Sequence, residues 1–192
     1  QSLSVVAKPR SVEVSGSETK TLAKFATKAL TVSVDRRSGR VNFGRAAGTT
    51  LLAEESCRFE PVAYPSGRTF KTVQSFKLAE DEAVWGLGQQ QNGKFSQRGS
   101  EVELLQSNTR VCMPILQSSR GYGLFIDNMS PGRFDGRGGG MAFAFDDAAC
   151  LDYYFMSGDT TDEVVRQIRW LTGGTPMLPL WTLGFWQSRE RY

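Results

Sequence analysis

The sequence predicts a mainly β protein: a sandwich of short strands followed by a single linking helix. Short runs in which apolar and polar residues alternate recur at roughly 8–12-residue spacing, separated by clusters of Gly, Pro, Asn, Asp and Ser. The composition agrees, since 20 Gly, 12 Phe and 4 Trp in 192 residues suit strands and turns better than helical bundles. One segment alone carries a clear helical period between a capping pattern and a Gly-Gly stop.

Residues 1–20 are polar, rich in Ser, Glu and Lys, and are expected as an edge strand or a loose arm. Leu30, Val32 and Val34 then alternate with Thr31 and Ser33, and Val41 and Phe43 with Arg40 and Asn42. Asp35-Arg-Arg-Ser-Gly39 between them reads as a hairpin connection. Further strands are expected over 49–53, 69–78, 102–106, 111–116, 123–127, 141–145 and 151–155, with another at Trp85. Gly136-Arg-Gly-Gly-Gly140 is a loop between two of them. In the helical segment, Thr160-x-x-Glu163 is a capping box, and Asp159 and Asp162 suit the positive end of the helix dipole. Val164, Val165, Ile168 and Leu171 are expected on its buried face, and Gly173-Gly174 with Pro176 ends it. The organisation expected is a sandwich over 1–158, a linking helix over 159–175 and a distinct tail over 176–192.

That tail is the densest apolar stretch of the chain. Trp181, Leu183, Phe185 and Trp186 crowd together around Gly184. Each large apolar side chain left in water forgoes roughly 1.5–3 kcal/mol, so such a run should be covered. It is expected to be the opening strand of a second domain whose body lies outside this sequence.

Composition excludes several chemistries. There is no histidine, which removes the commonest general base and every imidazole-dependent triad. The three cysteines, Cys57, Cys112 and Cys150, lack metal-site spacing and are expected as small buried apolar residues. No metal or other cofactor is expected. The net charge of +3 is mild and its basic residues are scattered, so no nucleic-acid partner is expected. No apolar run approaches the roughly 20 residues that span a bilayer, so no membrane partner is expected either. A chain beginning at Gln1 without Met suggests processing upstream, and a periplasmic or extracellular location is the corresponding expectation.

Three stretches together resemble glycoside hydrolase family 31, the α-glucosidases and α-xylosidases. They are Trp85-Gly-Leu-Gly-Gln-Gln-Gln91, the segment from Asn108-Thr109 through Pro114 to Ser119-Arg-Gly-Tyr-Gly-Leu-Phe-Ile-Asp-Asn128, and Leu178-Pro-Leu-Trp-Thr-Leu-Gly-Phe-Trp-Gln-Ser-Arg189. The resemblance implies a galactose-mutarotase-like β-sandwich, the linking helix, and then the first strand of a (β/α)8 barrel truncated at Tyr192. It also implies that the parent hydrolyses terminal α-linked glucose or xylose with retention, through two aspartates on later barrel strands. Neither lies in this sequence, so no catalytic residue is assigned here. The partners implied are an oligosaccharide or glycoside, met through the parent enzyme, and the chain's own missing barrel.

Several groups are candidates for a role in sugar recognition. Glu101 and Glu103 lie on one face of an expected strand, as a retaining pair would, but with nothing apolar to raise one pKa they read as two repelling surface acids. Asp81-Glu82 and Asp146-Asp147 read as turns. In Gly86–Gly99 the amides of Gln89, Gln90, Gln91 and Asn92 and the guanidinium of Arg98 are the groups that bind sugars. The family resemblance implies that a sandwich loop after this segment touches substrate, and Arg98 is its candidate. Trp186 and Tyr192 are the other substrate-binding candidates, because barrel sites lie at the C-terminal ends of strands. The alternative to an enzyme portion is a free-standing carbohydrate-binding module using Trp85, Phe95 or Tyr122. A mutarotase-like epimerase is disfavoured by the absence of histidine.

Overall fold

The computed structural model describes residues 2–64 and 67–188. Its strands form two antiparallel sheets. In spatial order the larger contains β1 (Ser15–Glu18), β2 (Leu22–Ala26), β3 (Leu30–Asp35), β4 (Val41–Arg45), β5 (Thr50–Tyr64), β6 (Gly67–Lys77), β12 (Gly140–Ala148), β11 (Gly132–Asp135) and β8 (Glu101–Leu104). The smaller contains β13 (Tyr153–Ser157), β10 (Tyr122–Ile126), β9 (Val111–Ser118) and β7 (Val84–Gln89). The first six strands follow one another as hairpins. At the β3–β4 connection the Asp35 Oδ1 accepts from the backbone N–H of Arg37 and Ser38 and from the Ser38 hydroxyl, as its Asp-x-x-Ser sequence allows.

Strand alternation builds the core. Met141, Phe143 and Phe145 on β12 stand opposite Phe76, Gln74 and Thr72 on β6, and Phe143 is also opposite Phe134 on β11. This row faces Tyr122, Leu124, Ile126 and Leu116 of the smaller sheet in one continuous cluster. Every residue of β10 is buried, which a half-exposed strand would not allow. The reason is a second layer. Tyr122, Leu124 and Ile126 face the larger sheet, whereas Phe125 packs with Met156, Val164 and Leu171 beneath the helix α1 (Thr161–Thr172). Gly123 seats that helix, since a Cβ there would come within 2.6 Å of Val164 Cγ1.

The capping box forms as its sequence indicates. Thr160 Oγ1 accepts from Glu163 N at 3.3 Å, and Glu163 Oε2 accepts from Asp159 N at 2.7 Å and from Thr160 N. Thr160→Ala should therefore cost about 1 kcal/mol and lower the melting temperature by roughly 2–4 °C, read by thermal denaturation. Val165 departs from expectation: it is exposed, because Val164 and Leu171 set the buried stripe one step round the helix. The polar amino-terminal arm is not loose. Val6 and Ala7 both donate backbone N–H groups to Leu171 O, capping the helix end, and Arg10 lies 5.0 Å above the Trp170 ring. Farther along, β1 provides the expected edge strand.

Three expectations need correction. The stretch 176–188 forms no strand. It holds a 3-10 turn, Leu180–Leu183, closed by Thr182 N to Pro179 O and Gly184 N to Trp181 O. A strand needs a hydrogen-bonded neighbour, and none of the described residues pairs with this stretch. Met177, Leu180, Leu183 and Phe185 are consequently 75–97% exposed. Cys57 and Cys150 are exposed and Cys112 is half-buried, where burial was expected for all three. Cys57 sits on the part of β5 that is exposed from Glu55 through Pro61, and Cys150 on the bend before β13. Asp146-Asp147 lies inside β12, at an irregularity between Phe145 and Ala148, with the Asp147 carboxylate accepting from Thr69 Oγ1 at 2.5 Å.

Candidate functional site

The Trp-Gly-Leu-Gly segment is a strained turn within a strand. Gly86, Leu87 and Gly88 have φ of 120°, 64° and 88° in succession. Gly86 pairs with Leu116 but Gly88 with Cys112, so β9 carries extra residues across this point. Pro114, which has no N–H to pair, is among them. The twist swings Leu87 into the core, where it is fully buried, and leaves Trp85 on the outer face stacked against Phe95 at 5.6 Å. Leu87 accepts this left-handed backbone because the core holds its side chain.

Behind this segment lies a buried acid that sequence reasoning took for part of a turn. Glu82 is 2% exposed. Its Oε1 accepts from Ser118 Oγ and Tyr122 Oη, both at 2.5 Å, and its Oε2 from Ala79 N at 2.9 Å. Burial and the nearby carboxylate push the Tyr122 phenol far above its usual pKa. Arg98 closes the same turn from outside, its Nη1 donating to Ala79 O at 2.7 Å and Glu82 O at 2.9 Å.

Beside the loop that follows Gln89, an open cleft of about 810 Å³ crosses β8 and β11. Gln90, Gln91 and Asn92 line it together with Glu101, Glu103, Arg110, Arg133 and Asp146. The two glutamates do not stand as repelling acids. Glu103 pairs with Arg110 at 2.6 Å, and Glu101 with Arg133 at 3.2 Å and Arg137 at 2.7 Å. Arg137 also chelates Asp135, holding that carboxyl down to about 2. Arg98 and Trp186 do not line this cleft.

A third surface is apolar. The helix covers the smaller sheet over β10 and β13, and leaves Trp85, Val111 and Met113 on β7 and β9 with a shallow cavity above them, flanked by the 80%-exposed Phe95.

The family model for the glycosyl hydrolase 31 N-terminal galactose mutarotase-like domain matches residues 1–135. The chain belongs to this family. An α-xylosidase of Saccharolobus solfataricus is 39% identical over 133 residues, covering 65% of this chain and 18% of the relative. The solved family 31 α-xylosidase of Xanthomonas citri superposes with a TM-score of 0.92 at 21% identity, over 100% of this chain and 38% of that one. A family 31 α-xylosidase from a soil metagenome, solved with xylose, gives a TM-score of 0.86 at 27% identity, over 98% of this chain and 31% of that one. The chain thus spans well under half the length of these proteins.

Against this family background the individual candidates fall as follows. Arg98 is half-buried and fastens the turn at Ala79–Glu82. Trp186 is 62% exposed, donates Nε1–H to Thr182 O and lies 5.5 Å from Trp181. Tyr192 lies outside the described residues. Of the aromatics considered for a binding module, Trp85 and Phe95 share a surface, but Tyr122 is fully buried in the hydrogen-bond network of Glu82 and inaccessible to a ligand. Sequence reasoning missed Glu82: it sits in the turn before β7, and the partners that bury it, Ser118 and Tyr122, are distant in sequence.

Proposed function

We propose that this chain is the non-catalytic amino-terminal sandwich of a retaining glycoside hydrolase acting on terminal α-glucosyl or α-xylosyl residues. In this reading it supports a (β/α)8 barrel and lends a loop to the substrate pocket. The observation that carries the proposal is the bare apolar surface, Trp85, Phe95, Val111 and Met113 on the sandwich together with the uncovered tail from Met177 to Trp186. Exposed contiguous apolar surface marks an interface, and the (β/α)8 barrel that the family resemblance implies is the occupant we assign. A retaining mechanism needs two carboxyls about 5–5.5 Å apart, one protonated. Glu101 and Glu103 are each ion-paired on an open surface instead, so the chemistry belongs to the barrel.

We assign the loop to the stretch after the Trp85 segment, with Arg98, which keeps N–H donors beyond the two carbonyls it binds, and to the turn that joins β8 and β9. There Thr109 holds φ of 67°, and Gln106 clamps both sides, donating to Arg110 O and accepting from Cys112 N, each at 2.9 Å. Trp186 and Tyr192 are assigned to the barrel side of the same pocket. The isolated chain should leave aryl α-glucosides and α-xylosides unhydrolysed, whereas a polypeptide extended by the barrel should cleave at least one of them. Hydrolysis by the isolated chain that disappears in Glu101→Gln or Glu103→Gln would overturn this assignment. The stacked Trp85–Phe95 pair favours the second reading, a free-standing sugar-binding module. That reading requires saturable oligosaccharide binding lost in Phe95→Ala.

A further inference from the structure

We infer that the cleft over β8 and β11 is a binding site for an uncharged oligosaccharide, gripped by planar amide, carboxylate and guanidinium groups without aromatic stacking. The choice of a sugar as ligand rests on the carbohydrate reading above; the remainder comes from the cleft. Its volume of about 810 Å³ lies within the roughly 300–1,000 Å³ typical of small-molecule sites. Its depth comes from the outward row of the larger sheet, where Arg133 stands between Glu103 and the small Ala144.

The charge is balanced along the cleft. Glu101, Glu103 and Asp146 face Arg110 and Arg133, and Arg137 reaches Glu101 from beside them. An anion would meet the carboxylates and a cation the guanidiniums. A neutral polyol can donate to the former and accept from the latter. Several lining groups are also fixed by a neighbour while hydrogen-bonding capacity remains across the cleft. Glu103 Oε2 is held by Arg110, Gln90 Nε2 by Leu87 O, and the Asn92 amide lies between Gln97 Oε1 and Lys94 N. A carboxylate has about four lone-pair sites and a guanidinium five N–H donors, so one contact does not exhaust either. Among the described residues, Gln91 and Asp146 line the cleft with no side-chain hydrogen bond of their own. Stability does not account for this array, since exposed ion pairs are worth about 0–1 kcal/mol. Pre-organised polar groups, by contrast, reduce what a ligand must lose in ordering its site.

No aromatic ring lines the cleft, so affinity should be modest, with a dissociation constant of about 1 mM. The test is an amide-resolved NMR titration of the 192-residue chain with isomaltotriose and, separately, maltotriose. Saturable shifts at Gln90–Asn92, Glu101–Glu103 and Arg133 are expected for at least one sugar. Glu103→Gln, which keeps the shape of the side chain, and Arg133→Ala should each weaken binding about tenfold, while Phe95→Ala should not change it. Absence of saturable shifts up to about 50 mM of both sugars would overturn the inference. So would shifts centred on Trp85 and Phe95 that vanish in Phe95→Ala. Either negative result leaves the assignment to the barrel standing, because that assignment is read by hydrolysis in the extended polypeptide.

Discussion

Glu82→Ala should destabilise the sandwich by about 3–5 kcal/mol, a large share of the roughly 5–15 kcal/mol that holds a domain folded. The carboxylate is 2% exposed and accepts from three donors on three segments: Ala79 N in the preceding turn, Ser118 Oγ at the end of β9 and Tyr122 Oη at the start of β10. Truncation leaves the buried Ser118 and Tyr122 hydroxyls and the half-buried Ala79 N–H without their acceptor, and each buried orphan costs about 1–3 kcal/mol. It also opens a void against Tyr122, itself fully buried and stacked on Phe155. Glu82→Gln should cost less, about 1–2 kcal/mol, since an amide oxygen can serve one donor and the hydroxyls can turn to accept. Urea denaturation of both variants gives the comparison, and a Glu82→Ala/Tyr122→Phe double-mutant cycle should show a coupling of about 0.5–3 kcal/mol. A Glu82→Ala midpoint equal to that of the parent chain would mean that water replaces the carboxylate at no cost.

The fold was legible where one local rule governed a segment. The Asp35–Gly39 hairpin formed because Asp and Ser side chains satisfy the turn on their own, and α1 starts just after its N-cap Thr160 because the capping box needs only residues three apart. What escaped was set by distant partners. The second half of β5, exposed from Glu55 to Pro61, carries Cys57, Phe59 and Pro61 in alternation with polar residues but buries neither face, and it is a strand because β6 runs beside it. β11, four residues long, exists because it lies between β8 and β12. The tail from Met177 was read from its apolar density, which indicates a need for cover but does not specify the conformation adopted without it.

The site divides in the same way. The amide cluster Gln90, Gln91 and Asn92 was visible in the sequence, and all three line the cleft. That Glu101 would be partnered was not visible, because Arg133 and Arg137 are about thirty residues away and reach it only through the β8–β11 pairing, and Glu103 meets Arg110 only because the chain turns back between β8 and β9. Arg98 was noticed for its charge, yet its work is local: it binds the carbonyls of the turn whose carboxylate is buried beneath it. Glu82 illustrates the cost of reading residues by type. A carboxylate beside Asp81 in a turn suggests the surface, while the hydroxyls of Ser118 and Tyr122, far along the chain, hold it inside.

Gly88→Ala should be the most damaging single change in the chain, costing at least about 3–5 kcal/mol, enough to unfold a domain at the low end of ordinary stability. Two separate effects meet there. The backbone holds φ of 88°, a region that costs an L-residue roughly 1–2 kcal/mol. In addition, a Cβ would come within 2.0 Å of Val111 O and 2.9 Å of Met113 N. Both are main-chain atoms of β9, so relief requires moving the strand and with it the β7–β9 pairing that carries Leu87 into the core. Gly93→Ala separates the two effects. Gly93 has φ of 68° but nothing within 4 Å of the methyl that alanine would add, so it should lose only the conformational part, about 1 kcal/mol. The measured quantity is the difference between the two variants in urea midpoint, or in soluble yield where Gly88→Ala does not fold. Equal losses at the two glycines would show that close approach of β7 to β9 is not what requires glycine, and that the Trp-Gly-Leu-Gly segment tolerates a side chain its geometry forbids.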